Sequence, residues 1–103
     1  MSNQENERRS IFCSTVGGVL TDEVGALTGD LELQTLLDPE NLCVYVRYAG
    51  ADEWYTVTGS PVSPGDRSYP ADTHERVVEH LTIPGPVVDG NEEPASLREF
   101  SLA

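Results

Sequence analysis

The side chains best placed to do chemistry lie within one short stretch: His74, Glu75, Glu79 and His80. On a helix of 3.6 residues per turn, Glu75 and Glu79 share a face and His80 lies about 100° from Glu79, so at most two or three of the four converge. Two carboxylates one turn apart can hold a divalent cation with the help of loop oxygens, or act as an acid and base pair if one of them is buried. Glu75, Glu79 and His80 are therefore the candidate metal ligands. Against this, Val77, Val78 and Leu81 define the buried side of the same helix, which leaves Glu75 and Glu79 near solvent. His80 near the C-terminus also complements the helix dipole.

A second group lies further upstream. Arg47 sits in the middle of an alternating Val/Tyr segment, where a guanidinium can clamp a carboxylate or stack on a ring. A cross-strand ion pair with Glu53 or Asp52 is the plainer expectation. Asp52 and Glu53 are followed directly by Trp54 and Tyr55. Rings beside acids suit a surface that binds a basic partner, because the rings supply buried area and the carboxylates supply steering. Asp52, Glu53, Trp54, Tyr55 and Arg47 are the candidate partner-binding residues. Packing of the single Trp in the core is the competing expectation.

Other chemistries lack their residues. The chain has no G-x-S-x-G, no GxxxxGK[ST] and no GxGxxG, and Gly17-Gly18 with Thr15 is too little for a phosphate cradle. No cofactor is implied. Cys13 and Cys43 stand 30 residues apart without a CxxC, so neither a zinc knuckle nor a redox pair is encoded. The polar N-terminus is followed by no apolar signal core and the apolar runs are too short to span a bilayer, which points to a cytoplasmic protein with reduced, buried thiols.

Charge narrows the field further. Against 18 Asp and Glu the 103-residue chain sets 6 Arg and no Lys, a formal charge of -12. The acids are spread over both halves. Such a field repels nucleic-acid phosphates and anionic membranes, and attracts cationic partners. Adaptation to a salty cytoplasm explains the same composition without any site.

Residues 1–9 read as a disordered arm and residues 10–103 as one domain. Ile11, Phe12 and Val16 suggest a strand broken at Gly17-Gly18. Thr21 with Asp22 and Glu23 suggests a helical turn. Over 30–38, Leu31 and Leu33 alternate like a strand, but Leu33, Leu36 and Leu37 recur at helical spacing, and helix is the reading adopted. Residues 42–58 form a hairpin with its turn at Ala49–Asp52. The loop over 59–70 is too rich in proline to supply a central strand. A helix starts at Asp72, with Glu75 completing a capping box, and stops at Pro84. Residues 84–96 read as a turn-rich linker, with a turn at Asp89-Gly90, and residues 96–102 read equally as helix or strand.

The expected fold is a small single α+β domain: an antiparallel sheet around the 42–58 hairpin with two or three short helices on one face. The expected function is a small acidic, non-enzymatic interaction module, of inhibitor, immunity or regulatory type, that engages a basic partner. The alternatives are a salt-adapted accessory or ligand-binding domain and a divalent-metal-binding protein. A homodimer through the hairpin edge is a further possibility, since a two-stranded ribbon alone is marginal.

Overall fold

The computed structural model describes residues 7–38, 40–63 and 72–100. In chain order the elements are β1 (Glu7–Cys13), β2 (Val19–Thr21), β3 (Gly25–Leu27), β4 (Asp30–Leu37), β5 (Leu42–Tyr48), β6 (Tyr55–Thr56), α1 (Thr73–Leu81), β7 (Val87–Val88) and β8 (Asn91–Glu92). Strands β1, β4, β5 and β6 form one antiparallel sheet in the order β1-β4-β5-β6; β2 with β3 and β7 with β8 form two small ribbons. The protein is thus mostly β with one short helix among the described residues, and the expected α+β fold with two or three helices is corrected.

The largest correction is β4. Leu31, Leu33 and Thr35 are buried while Glu32, Gln34 and Leu36 face the other way. A period of two therefore prevails over the helical spacing of Leu33, Leu36 and Leu37, because β4 is central, paired along its two edges with β1 and β5, and turns one face to the core. The Asp38 carboxylate ends the strand by accepting the backbone N–H groups of Glu40 and Asn41 at 2.9 and 2.7 Å.

The stretch after Thr21 is a β-turn ribbon and not a helical turn. The Thr21 hydroxyl accepts from Val24 N–H at 3.2 Å and donates to Gly25 O at 2.6 Å, while Gly25 takes φ of 82°. A left-handed glycine there closes β2 onto β3, and the threonine serves the turn where a helix cap was expected.

The 42–58 hairpin is present, but its turn runs on to Trp54 and β6 is only two residues long. Beyond β6, Val57 N–H donates to Val44 O at 3.0 Å, Ser60 Oγ accepts from Val44 N–H at 2.9 Å and Val62 bridges Leu42. The outer side of the hairpin is taken in turn by the β2–β3 ribbon, through Asp22 N–H to Thr56 O at 3.0 Å and Thr58 N–H to Leu20 O at 2.9 Å. That edge, considered above for a homodimer, is already covered.

One face of the sheet carries the core. Leu31 and Leu33, Leu42, Val44 and Val46 meet Val77 and Leu81 of α1, with Val19, Val57 and Leu97 closing the sides. Each such side chain contributes about 1.5–3 kcal/mol on full burial. The helix begins where the sequence places it, but the capping box does not form: Asp72 makes no side-chain cap and pairs with Arg76 at 3.0 Å.

Chain ends differ from expectation too. Strand β1 starts at Glu7, inside the segment read as an arm; residues 1–6 lie outside the described residues. The segment 84–96 holds the β7–β8 hairpin, whose Asp89-Gly90 turn has φ of 53° and 82° as a two-residue hairpin turn requires. It also locks onto the β2–β3 ribbon, since Ala95 exchanges hydrogen bonds with Gly18 and Leu20 at 2.8 Å. A Cβ on Gly17 would come within 2.6 Å of Glu93 O, so only glycine admits this approach. From Ser96 to Phe100 the chain makes a turn, neither helix nor strand, and residues 64–71 and 101–103 lie outside the description.

The cysteines are free, Cys13 exposed and Cys43 half-buried, which corrects the expectation of two buried thiols. Cys13 pairs with Asp30 and Cys43 with Leu36 across β4. Six residues of strand separate those positions by about 20 Å, far beyond disulfide reach.

Candidate functional site

The second face of the sheet, away from α1, carries Arg47. Its position follows from register: Glu32 on β4 lies directly opposite. Arg47 donates to Glu32 Oε1 from Nε at 2.8 Å and from Nη2 at 2.7 Å, with both side chains mostly buried. The expected pairing with Glu53 or Asp52 is not made, because both residues lie in the loop past the end of β5 and are exposed.

Trp54 follows that loop and turns onto the same face. Its ring centroid is 4.4 Å from the Arg47 guanidinium carbon and 5.6 Å from that of Arg9 on β1. Arg9 and Arg47 come from strands separated by β4, so the ring lies across the sheet and not in the core. Glu7 completes the layer, accepting from Arg9 Nε at 3.2 Å and from Gln34 at 2.7 Å. Half-buried and bracketed by two guanidiniums, the ring sits in a fixed place.

Tyr55 takes the opposite face. It lies across from Val46 and packs against the core. Partial burial pushes its phenol pKa up, and the negative charge and hydrogen bond of Glu53, with Glu23 beyond, push it further. Glu23 arrives from the β2–β3 turn. Its two carboxylate oxygens accept from the Thr56 hydroxyl at 2.7 Å and Thr56 N–H at 2.8 Å, and these bonds hold its pKa below the ordinary carboxylate range. Asp22 beside it accepts from the Thr58 hydroxyl at 2.9 Å.

The β6 edge thus gathers carboxylates from two loops, Asp22 and Glu23 from one and Asp52 and Glu53 from the other, around Trp54 and Tyr55. Asp22 and Glu23 were missed in the sequence, where they read as the acidic first turn of a helix. Only the ribbon's closure onto β6 reveals them.

The α1 cluster does not assemble. Glu75 pairs with Arg8 at 3.7 Å, while His80 contacts Ser96 O at 3.0 Å and packs edge-on against Phe100. Among the described residues no three His, Cys, Asp or Glu side chains group to hold a metal ion. His74 turns inward instead: Nε2 lies 2.7 Å from Ser10 Oγ and Nδ1 lies 2.8 Å from Thr35 Oγ1. Burial lowers its pKa from 6.5, with Glu75 opposing and Arg8 adding to the shift. Its placement was readable, since 74, 77 and 81 fall on one helical stripe.

Four of the five described arginines, Arg8, Arg9, Arg47 and Arg76, already face carboxylates. The acids at the β6 edge are therefore not neutralised by arginine among the described residues. No helix among the described residues is long and apolar enough to cross a membrane. Neither a protein-family model, nor a curated protein, nor a solved structure matches this chain.

Proposed function

We propose that this chain is a small acidic interaction module, of inhibitor, immunity or regulatory type, that engages a basic partner through the β6 edge. The observation carrying this reading is the fold-back of Asp22 and Glu23 onto Thr56 and Thr58, beside Asp52, Glu53, Trp54 and Tyr55. Hydrogen bonds preorganise Asp22 and Glu23, the Arg47 and Arg9 bracket holds Trp54, and less ordering entropy is lost on binding. The partner is a protein surface or segment rich in Arg or Lys. Nucleic acid and anionic membrane are repelled by the net charge of -12. Free thiols at Cys13 and Cys43 favour a reducing compartment such as the cytoplasm.

A second reading is supported by exposed acids far from this edge, such as Asp38, Glu40 and Glu79, and makes the acidity a salt adaptation with no site. One calorimetric titration separates the two. An arginine-rich peptide is titrated into wild type, into Glu23→Gln with Glu53→Gln, and into Asp38→Asn with Glu40→Gln, at low salt. The edge reading predicts that the first pair weakens binding about tenfold, against a factor of about two for the second pair. Equal weakening by both pairs, which change the charge alike, rejects it.

A further inference from the structure

Ser10, His74 and Thr35 form a chain of hydrogen bonds between β1, α1 and β4. Ser10 Oγ is 2.7 Å from His74 Nε2, and His74 Nδ1 is 2.8 Å from Thr35 Oγ1. With the imidazole proton on Nδ1, that nitrogen donates to Thr35 and Nε2 accepts from the Ser10 hydroxyl. A nucleophile within hydrogen-bond reach of a base, the base oriented by a third group, is the arrangement that activates serine. Thr35 and His74 are 2% and 7% exposed, whereas Ser10, on the core face of β1 opposite Leu33, is only partly buried.

The pair also opens onto space. Ser10 and His74 line a groove of about 460 Å³ together with Glu75, Val78, Glu79 and Thr82. Val78 supplies an apolar wall and the two glutamates make the rim negative. Arg8 pairs with Glu75 at 3.7 Å, so the net negative charge of the rim rests on the exposed Glu79. Burial keeps His74 neutral at physiological pH, and so able to take a proton. A packing tether does not need the groove, which brings solvent to the Ser10 and His74 pair.

We propose that Ser10 is a nucleophile activated by His74, and that the groove accepts an ester bearing a cationic group and transfers its acyl group to Ser10. Thr35 is a positioning residue. In the step, the Ser10 Oγ–acyl bond forms as its proton passes to His74 Nε2, and the ester C–O bond breaks as the leaving alkoxide takes that proton. Water then attacks the acyl-serine, giving its proton through His74 to Ser10 and releasing the carboxylic acid. Ser10 lies on β1, at the opposite end of the sheet from the β6 edge.

The test uses the full chain and a fluorophosphonate probe, followed by mass spectrometry. Ser10 attacks phosphorus, fluoride leaves, and the serine proton passes by way of His74 to solvent. A single adduct on Ser10 is expected, absent in Ser10→Ala and formed at least about tenfold more slowly in His74→Gln. In wild type the rate rises as pH increases through the His74 titration. A p-nitrophenyl ester of a guanidino acid acylates faster than p-nitrophenyl acetate. Wild type that stays unlabelled while a control serine hydrolase reacts overturns the proposal. So does a rate flat with pH, a reading that needs no variant to fold, and equal rates for the two esters overturn the cationic substrate class.

Discussion

Arg47 places its guanidinium carbon 4.4 Å from the centroid of the Trp54 ring while two of its nitrogens hold Glu32 at 2.7 and 2.8 Å. One cation thus satisfies a carboxylate in the plane of the fork and an aromatic face across it. The consequence is positional: Trp54 belongs to the loop that carries Asp52 and Glu53, so stacking on Arg47 fixes that loop against the sheet.

Arg47→Lys keeps the charge and loses both the fork and the stack. It is expected to destabilise the fold by about 1–2 kcal/mol, part of it the stacking contribution of about 0.5–1 kcal/mol. Urea denaturation followed by Trp54 fluorescence measures this, and the same variant should increase quencher access to the ring.

The strand character of β4 has a direct mutational signature. Leu33 is fully buried on the core face and Leu36 lies half-buried on the other. Leu33→Ala should cost about 2–5 kcal/mol and Leu36→Ala less than half as much. A helix burying Leu33, Leu36 and Leu37 together would give similar losses at both sites. Chemical denaturation of the two variants decides.

His74 predicts a pH dependence of stability. Burial lowers its folded-state pKa from 6.5, so the unfolded chain binds the proton first as pH falls. The stability held by neutral His74 is complete above about pH 6.5 and declines as pH drops from there toward the folded-state value. His74→Gln should flatten the slope of melting temperature between about pH 7.5 and 5.5, a window above the titration of ordinary carboxylates.

What the sequence disclosed and what it hid follow from one distinction. Alternation over 42–48, the turn at Asp89-Gly90 and the amphipathic stripe around Val77 and Leu81 are local patterns, and the corresponding elements form. Residues 30–37 carry two periods at once, and only the flanking strands β1 and β5 select between them. Likewise Thr21-Asp22-Glu23 is chemically a helix start, and the left-handed Gly25 makes it a β-turn. At the candidate site, Asp52 to Tyr55 were visible as neighbours in sequence. Asp22, Glu23 and the Glu32 partner of Arg47 were not, because register and ribbon closure bring them there.

The most direct test of the partner edge is an amide NMR titration of the protein with an arginine-rich peptide at low ionic strength. Shift changes concentrated at Asp22, Glu23 and the segment 52–56, and vanishing with Glu23→Gln and Glu53→Gln, are the predicted result. Changes of similar size at every exposed acid, Asp38, Glu40 and Glu79 included, would show a diffuse anionic surface and contradict it.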